Sequence, residues 1–418
     1  MHNIHNRTTS GLLFLSSCLL PIIANANFIN DSLLNLETRN FYMNRDFRDN
    51  AAGNHKAEDW GQGFMLRYNS GFTEGTAGFG IDALGLLGVK LDSGRGTSGT
   101  GALQVQNDGK VSDNLSFLGL TAKARLGKSL LTIGTHEPLI PIAYRNDTRL
   151  LPQTFEGAQL VSKDINNLTL TAGQFRSTRL RDSSNYEDMN MVAFAKNGGL
   201  VTGGRASDRF NYAGANYSLQ PNLIGTYFYA ELENNYHQHY GNLIHNLSLN
   251  KTLTLKSDIR YFDSGKEGNT TVDNRNLGAM FTLGHQGHAL GLAYQNQSGK
   301  TGQPFIGGGT DPWALNTVTY HHFLRAQEDS WQIRYDYNFA SAGIPGLTLM
   351  TRYISGKNFE IGGASAKEWE RDLDLGYIIQ SGPLKNVKLL WRNVAYRGSH
   401  TTGIDENRLL IGYTFKLL

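Results

Sequence analysis

Apolar and polar residues alternate along most of the chain. The pattern is clearest in segments 118–126, 331–339 and 409–417, where leucine, isoleucine or an aromatic residue occupies every second position. A β-strand points successive side chains to opposite faces, so each of these segments has one apolar and one polar face. The pattern predicts an all-β protein whose strands separate two different environments.

The length of these segments distinguishes between two kinds of β protein. A soluble sandwich shows the same local alternation, but its strands usually have about 5 or 6 residues. Here the strand-like runs extend over about 9 to 12 residues, the length that crosses a bilayer at a tilt. Tyr, Phe and Trp recur near the strand ends, where a membrane barrel carries its aromatic girdles. We therefore expect the apolar faces to meet lipid.

The connections between strands also alternate in length. Short turns are expected at 127–128, 220–222, 286–287 and 381–383, and long polar loops at 92–115, 137–154, 176–209, 297–329 and 357–367. Short turns on one side and long loops on the other are typical of an outer-membrane barrel. Backbone groups in lipid must all be hydrogen-bonded, so the sheet has to close on itself.

The strand count follows from this topology. Nineteen runs look like strands, but a bacterial barrel with both ends in the periplasm needs an even number. The weakest run is 314–322, and keeping it would put the turn-like segment 340–346 on the outer side. We assign 314–322 to the large loop 297–329. The prediction is a closed antiparallel transmembrane β-barrel of eighteen strands, forming one domain over residues 27–418.

Residues 1–26 have the pattern of an export signal. Arg7 precedes an apolar run over residues 12–23, and Ala24-Asn25-Ala26 matches a signal-peptidase site. The one cysteine, Cys18, lies in the segment that would be removed. An alternative is a lipoprotein signal ending at Cys18, but the apolar run continues past that residue. Export of a cysteine-free chain points to the Gram-negative periplasm or outer membrane.

Composition excludes several classes of protein. The chain has 418 residues, 18% of them charged, with a net charge of +3 and 48 glycines. Such a small, dispersed charge argues against nucleic-acid binding, and no apolar window after the leader approaches the ~18 residues of a membrane helix. Histidine pairs at 237/239, 285/288 and 321/322 lie at turns or loops without a second ligand cluster, so no metal and no cofactor are expected.

Several long strings resemble the OprD-type outer-membrane carboxylate channels. They lie at 40–47, 60–64, 80–92, 150–157, 331–337, 343–347, 374–377 and 380–383 and span essentially the whole chain after the leader. The resemblance implies an eighteen-stranded barrel with a pore narrowed by in-folded loops. It also implies passive uptake of small carboxylate-bearing nutrients, such as amino acids and aromatic or sugar acids. Carbapenem-like antibiotics are further expected solutes. It implies outer-membrane lipid, lipopolysaccharide and small anionic or zwitterionic solutes as partners, and a monomer or a trimer.

The polar strand faces carry basic residues at both ends of the sequence, which closure of the barrel brings together. We predict a basic pore wall made of Arg39, Arg67, Lys123, Arg125, Arg352, Lys388, Arg392 and Arg408, with Arg334 nearby. The opposite wall is expected to carry Glu231, Glu233 and Asp258, offset by Lys256 and Arg260. The alternative is that these charges only solvate the lumen or balance acids such as Glu370, Asp372 and Asp374. The family resemblance implies the basic ladder.

Two loop segments are candidates for the constriction. Segment 138–149 is too apolar for an exposed loop and is stiffened by two prolines. We expect it to fold into the barrel and to place Tyr144, Arg145, Asp147 and Arg149 near the narrowest point. Segment 308–313 resembles the family's other in-folded loop, which makes Asp311 a candidate partner for a substrate ammonium. Simple loop pinning is the alternative for each residue, and for Asp311 an Asx-turn before proline.

Three functions remain to be compared. A substrate-selective porin predicts discrete conductance steps in a planar bilayer. An outer-membrane esterase or phospholipase needs a Ser, a His and an acid or amide clustered on the barrel, but the chain has no G-x-S-x-G motif and its histidines lie mainly in connections. A plugged receptor or adhesin is disfavoured, because no plug-sized segment precedes the barrel. We therefore predict a porin and no enzyme.

Overall fold

The protein is a closed antiparallel barrel. The computed structural model describes residues 26–48, 53, 55–94 and 96–418. Eighteen long strands form the wall: β1 Leu33–Arg48, β2 Lys56–Asn69, β3 Ala77–Asp92, β4 Asn114–Leu126, β5 Ser129–His136, β6 Thr154–Ser162, β7 Leu168–Arg179, β8 Phe210–Gln220, β9 Leu223–Leu232, β10 Tyr236–Ser248, β11 Leu253–Lys266, β12 Asp273–His285, β13 His288–Gly299, β14 Asp329–Asn338, β15 Leu347–Ile361, β16 Ala364–Ile378, β17 Lys388–Gly398 and β18 Gly403–Lys416. The predicted strand number is confirmed.

The barrel closes between the first and the last strand. Each strand pairs antiparallel with its sequence neighbour, and β1 pairs with both β2 and β18. Arg39, for example, lies opposite Gly63 on one side and Gly412 on the other. Residues from the two ends of the sequence therefore share one sector of the wall, as the sequence predicted.

The two strand faces meet different surroundings. On β4, Leu118 and Leu120 face outward with 70% and 54% of their surface exposed, as expected of side chains that meet lipid. The alternate residues Leu115 and Thr121 face inward and are buried. This outward apolar face explains the large exposed hydrophobic area of the isolated chain.

Three of the four predicted short turns are observed, whereas the one predicted at 381–383 lies in a longer periplasmic connection, residues 379–387. Turns of two residues join β4 to β5, β8 to β9 and β12 to β13 on the periplasmic side, whereas residues 93–113, 137–153, 180–209 and 300–328 form long outer loops. The long loop predicted at 357–367 is wrong. There β15 and β16 continue beyond the wall and are joined by Gly362 and Gly363, whose φ angles of 59° and 79° suit a tight hairpin turn.

Segment 314–322 contains no strand, which confirms its assignment to a loop. It lies inside the barrel, where Asn316 is fully buried and donates a hydrogen bond to Ser330 on β14. Segment 339–346 forms a short 3₁₀ turn, Phe339–Ala342, on the periplasmic side. The topology that required an even strand number is therefore the one observed.

Long loops fill much of the interior. From the loop 137–153, Ile142 and Ala143 pack with Phe155, Phe175 and Phe210 of the wall. Leu150 and Leu151 of the same loop pack with a second set of interior side chains around Phe41 and Met65. These contacts hold the loop across the pore and confirm that it folds inward.

The predicted leader, residues 1–26, lies outside the described residues except for Ala26, and stays a prediction together with Cys18. Ala26 begins a five-residue helix, Ala26–Asn30, that leads into β1. No helix among the described residues is long and apolar enough to span a membrane.

Candidate functional site: the pore and its constriction

All the predicted basic wall residues lie on inward strand faces. On β1, Phe41 and Met43 are fully buried in the interior, so Arg39 at the same spacing also points inward. The same parity, read from buried neighbours on each strand, applies to Arg67, Lys123, Arg125, Arg334, Arg352, Lys388, Arg392 and Arg408. The alternation of the sequence therefore identified the lumen correctly on this side of the barrel.

The basic residues of the wall are mostly paired with carboxylates. Arg39 binds Asp147 at 2.7 Å and Glu37 at 2.8 Å, and Arg67 binds Glu37 and Glu137, both at 2.9 Å. Further pairs are Lys123–Asp82 at 2.6 Å, Arg352–Asp372 at 2.7 Å, Arg392–Asp374 at 2.5 Å and Arg408–Glu406. The wall is a ladder of ion pairs, so its net charge is much smaller than its arginine count suggests.

Strand register explains why the acids are needed. Arg392 lies directly opposite Arg408, and Arg334 lies directly opposite Arg352. Like charges placed opposite each other destabilise a sheet. Asp374, opposite Arg392 on the other side, relieves one of these contacts. Asp372 and Asp374 are therefore structural partners of the basic residues, whereas Glu370 accepts the backbone N–H groups of Tyr320 and His321 at 2.8 Å each.

Arg125 and Lys388 differ from the other predicted wall residues. Neither forms an ion pair within the described part of the chain. Arg125 lies over the ring of Phe72 at 4.5 Å, in the turn between β2 and β3. Lys388 is exposed at the first position of β17. Both therefore line the periplasmic mouth rather than the constriction.

The expected acidic wall is wrong in two of its three members. Phe228, Ala230 and Leu232 of β9 are buried in the interior, so the alternate residue Glu231 faces outward, where it accepts a hydrogen bond from Tyr229. Glu233 lies in the outer turn and contacts Arg209 at 3.4 Å. The remaining member, Asp258, faces the lumen and binds Arg260 at 2.8 Å.

Two in-folded loops meet inside the barrel, at the level of the candidate constriction. The backbone N–H of Asp311 donates to the carbonyl of Tyr144 at 3.0 Å, and the ring of Tyr144 stacks on Trp313 with centroids 4.3 Å apart. Asn146 also donates to the carbonyl of Gly309. The segments around 144 and 311, predicted separately, therefore form one structure.

The predicted constriction residues have different surroundings. Arg145 lies between Glu137 at 2.6 Å and Asp147 at 3.6 Å, and Asp147 also holds Arg39. One oxygen of Asp311 accepts the backbone N–H of Trp313 at 2.8 Å, the Asx-turn that was its alternative role. Burial raises the pKa of Asp311 above the usual aspartate value. Asp311 thus pins the loop while its side chain borders the pore.

Arg149 has no ion-pair partner among the carboxylates that the structure describes. Its guanidinium is buried and donates to the backbone carbonyls of Thr100 at 2.9 Å and Thr148 at 3.0 Å. Burial lowers its pKa well below the usual arginine value, and the charge of nearby Arg408 lowers it further. A protonated guanidinium with neutral acceptors alone favours the approach of an anion.

Arg181, which the sequence did not single out, has the same character. It donates to the side-chain oxygen of Asn146 at 3.0 Å, and burial lowers its pKa to about 10. The guanidinium of Arg181 fits beside the loop 93–113 because residue 101 is glycine. A Cβ atom at position 101 would lie only 2.9 Å from Nη2 of Arg181. Gly101 has a φ of 71°, a conformation that favours glycine. A loop has no alternation of apolar and polar residues from which an inward position could be predicted. The position of Arg181 therefore became known only from the tertiary structure.

Two arginines bind one acid beside the loop junction, and two more arginines lie in the same region. Glu406 is fully buried and binds Arg408 and, at 2.6 Å, Arg45. Arg149 and Arg181 add two further charges close enough to affect the same group of residues. We call Arg45, Arg149, Arg181 and Arg408 the eyelet arginines. Arg45 and Arg408 share Glu406, and neither Arg149 nor Arg181 forms an ion pair with a described carboxylate, so the eyelet has a local positive charge that the other wall pairs lack.

A chamber of about 430 Å³ lies against β11, β12, β14 and β15, on the periplasmic side of the loop junction. Its charged lining consists of Lys256, Arg260, Arg334, Arg352, Asp258, Asp311 and Asp336. Arg260 lies over the ring of Trp313 at 4.8 Å. The chamber combines both signs of charge with an aromatic surface, which suits small polar solutes with an apolar part.

No group of three His, Cys, Asp or Glu among the described residues could hold a metal ion. The paired histidines of the sequence have other contacts. His288 stacks on Tyr337 and is hydrogen-bonded to Tyr335, and His321 contacts Glu368 at 3.1 Å.

This fold and lumen define an outer-membrane porin of a Gram-negative bacterium. The family model of the OprD outer-membrane porins matches residues 26–417. The chain belongs to the OprD family.

Individual relatives agree with this assignment. The porin-like protein GalP of Pseudomonas putida is 37% identical over 97% of each chain. The crystal structure of OpdQ from Pseudomonas aeruginosa is 47% identical, with a TM-score of 0.84 over 94% of this chain and all of OpdQ. OpdK of the same species, crystallised with vanillate, is 36% identical, with a TM-score of 0.86 over 93% of this chain and all of OpdK. GalP is named as a porin-like protein, and none of the three relatives supports the hydrolase alternative.

Proposed function

We propose that this porin conducts small carboxylate-bearing solutes by passive diffusion, with the eyelet arginines as its selectivity element. The observation that carries the proposal is their excess over Glu406, at the level where two loops narrow the pore. Arg149 and Arg181 donate to neutral oxygens, so their charge is available to a passing anion. A carboxylate that enters the constriction replaces the water it loses with N–H donors.

The strength of this attraction suits a channel. One unit charge about 8 Å from another gains roughly 0.5 kcal/mol in near-bulk water, and a few-fold more where water is scarce. Arginine can also bind a carboxylate through two parallel hydrogen bonds. Conduction needs entry to be favourable and exit to remain possible. Several moderate contacts in sequence meet that requirement better than one tight site.

The paired wall residues have a different role in this proposal. Arg39, Arg67, Arg352 and Arg392 contribute little net field, because each contacts an acid. They still offer N–H groups that a carboxylate can share while it moves. The wall is a polar path on either side of the constriction, and the eyelet arginines decide which charge passes.

The chamber indicates which carboxylates to test first. Trp313, stacked on Tyr144 and covered by Arg260, provides an aromatic surface beside a cation. Aromatic rings favour offset or edge contacts with other rings, and the relative OpdK was crystallised with vanillate, an aromatic acid. We include benzoate-like acids, sugar acids and basic amino acids among the candidate solutes.

Ion selectivity in planar bilayers tests the proposal. The double substitution Arg149→Gln with Arg181→Gln removes two charges from the constriction and is expected to reduce the anion-to-cation permeability ratio several-fold. Arg176→Gln with Arg275→Gln is the matched control, because both arginines lie on the outer wall, 61% and 58% exposed beside Asp208 and Asp263. An unchanged ratio in the double variant, or an equal loss in the control, contradicts the proposal.

Liposome swelling extends the test to solutes. The wild-type protein is expected to admit benzoate-like acids faster than neutral solutes of the same size, and the double variant is expected to lose this difference. Equal swelling rates for acids and neutral solutes in the wild type would exclude a carboxylate preference. A purified protein that produces no conductance steps would exclude the channel itself.

A further inference from the structure

A second basic cluster lies on the outside of the barrel, at the outer ends of β15, β16 and β17. On β16, Glu368 and Glu370 are buried in the interior, so the alternate residues Lys367 and Trp369 face outward. On β15, Ile354 is buried inside, and Lys357 faces outward. These strands end in the turn at Gly362 and Gly363, on the side of the long loops, so the cluster lies on the extracellular side.

The two lysines are placed directly opposite each other across the strand pair. Like charges in this position are normally destabilising. Both lysines are exposed, and neither forms an ion pair with a described carboxylate. Asp329, the residue opposite Lys357 on β14, is already hydrogen-bonded to Asn296 and Asn358 at 2.7 Å each. The arrangement has a lower free energy when an anion lies between the two ammonium groups.

Arg397 extends the cluster to a third strand. It lies opposite Trp369, and its guanidinium is 5.9 Å from the Trp369 ring. It binds Asp405 at 2.9 Å, but Arg48 shares the same carboxylate at 2.7 Å. The two lysines and two arginines outnumber the carboxylates of Asp329 and Asp405 that lie beside them, so the cluster is positively charged.

An aromatic row marks the depth of the cluster in the membrane. The rings of Trp331 and Tyr353 are 5.6 Å apart, and those of Tyr353 and Trp369 are 5.8 Å apart. Such a row on the outward face of a barrel marks the boundary between acyl chains and headgroups. Lys357 and Lys367 lie beyond Tyr353 and Trp369 toward the outside, at the level of lipid headgroups.

We propose that Lys357, Lys367 and Arg397 form a binding site for the phosphorylated headgroup of lipopolysaccharide in the outer leaflet. Lysine and arginine bind phosphate through charge-assisted hydrogen bonds, and Trp369 and Tyr353 offer flat surfaces to the sugar and acyl parts. The site faces lipid and does not open into the lumen. It is therefore independent of the proposed transport function.

Binding of purified lipid A to the detergent-solubilised protein, measured by native mass spectrometry, tests this site. Lys357→Gln with Lys367→Gln is expected to weaken binding roughly 10- to 30-fold, since each lysine contributes a factor of about three to five. The matched control is Arg176→Gln with Arg275→Gln. It removes the same charge from exposed outer-wall positions where each arginine already has a carboxylate.

Two further arms identify the chemistry. Dephosphorylated lipid A is expected to bind the wild type as weakly as lipid A binds the lysine variant. Phosphatidylglycerol, with one phosphate and no sugar, is expected to bind less tightly than lipid A. Equal lipid A binding by the wild type and the lysine variant, an equal loss in the control, or no dependence on the phosphates overturns the proposal. The single-channel conductance of the lysine variant shows that it has folded.

Discussion

Arginines on the barrel wall and arginines in the in-folded loops have different kinds of partner. On the wall, Arg352 and Arg392 each have an aspartate within 2.7 Å. At the eyelet, Arg149 and Arg181 have neutral oxygens as partners. The wall must satisfy the register of a closed sheet, which places arginines opposite one another, whereas loops have no such constraint. An inward arginine on a strand is therefore weak evidence for a net charge, and a buried loop arginine without an acid is stronger evidence for an anion path.

The largest effect is expected where the two regions meet, at Glu406. Glu406→Gln removes the acid that Arg45 and Arg408 share in a fully buried position. Breaking a buried ion pair from one side costs about 3–5 kcal/mol. We expect the free energy of unfolding, measured by urea titration in lipid vesicles, to fall by that amount. The control is Asp263→Asn, which removes an exposed partner at 3.8 Å and should cost about 1 kcal/mol or less. Equal stability of the two variants would contradict the assignment of Glu406.

A smaller effect is expected within the wall. Arg392→Gln leaves Asp374 unpaired in the lumen, and we expect the anion-to-cation permeability ratio to fall roughly threefold. Arg392→Gln combined with Asp374→Asn removes both charges and should restore most of the ratio. If the double variant is as impaired as the single one, the pair does not act as a neutral unit and the contrast with the eyelet is wrong.

The smallest effect concerns pH and Asp311. Burial raises the pKa of Asp311, so this carboxyl becomes neutral at a higher pH than an exposed aspartate. As pH falls from about 7 through that raised pKa, the chamber loses one negative charge, and anion selectivity is expected to increase. The reversal potential of the wild type should therefore shift toward anion selectivity more than that of Asp311→Asn over the same range. Parallel titrations of the two proteins would show that Asp311 does not contribute.

Much of the fold followed from local pattern. Alternation along 118–126, 331–339 and 409–417 predicted the strands, and strand parity placed Arg67, Lys123 and Arg408 correctly on the inward face. The same rule failed at Glu231, because the apolar residues of β9 face the loop-filled interior rather than lipid. This rule assigns the apolar face of each strand to lipid. It gives the wrong face where loops make the barrel interior hydrophobic.

The constriction was predicted in part. The apolar, proline-containing segment 138–149 indicated an in-folded loop, and the segment packs inside the barrel with Arg149 buried. Arg45 was missed because the alternation of β1 is weak, and Arg181 because a loop has no periodicity to interpret. The hairpin at Gly362 and Gly363 was mistaken for part of a long loop, since polar strands outside the membrane lack an apolar face.

The amino-acid sequence by itself determined the class of architecture, because side-chain periodicity and the need to pair every backbone group in lipid are local or topological requirements. The tertiary structure decided which charges are neutralised and which are left to meet a solute. That outcome depends on distances of a few ångströms between residues far apart in the chain, such as Arg39 and Asp147 or Arg45 and Glu406. Electrostatic energy depends on those distances and on burial, and neither is encoded in the spacing of residues along a strand.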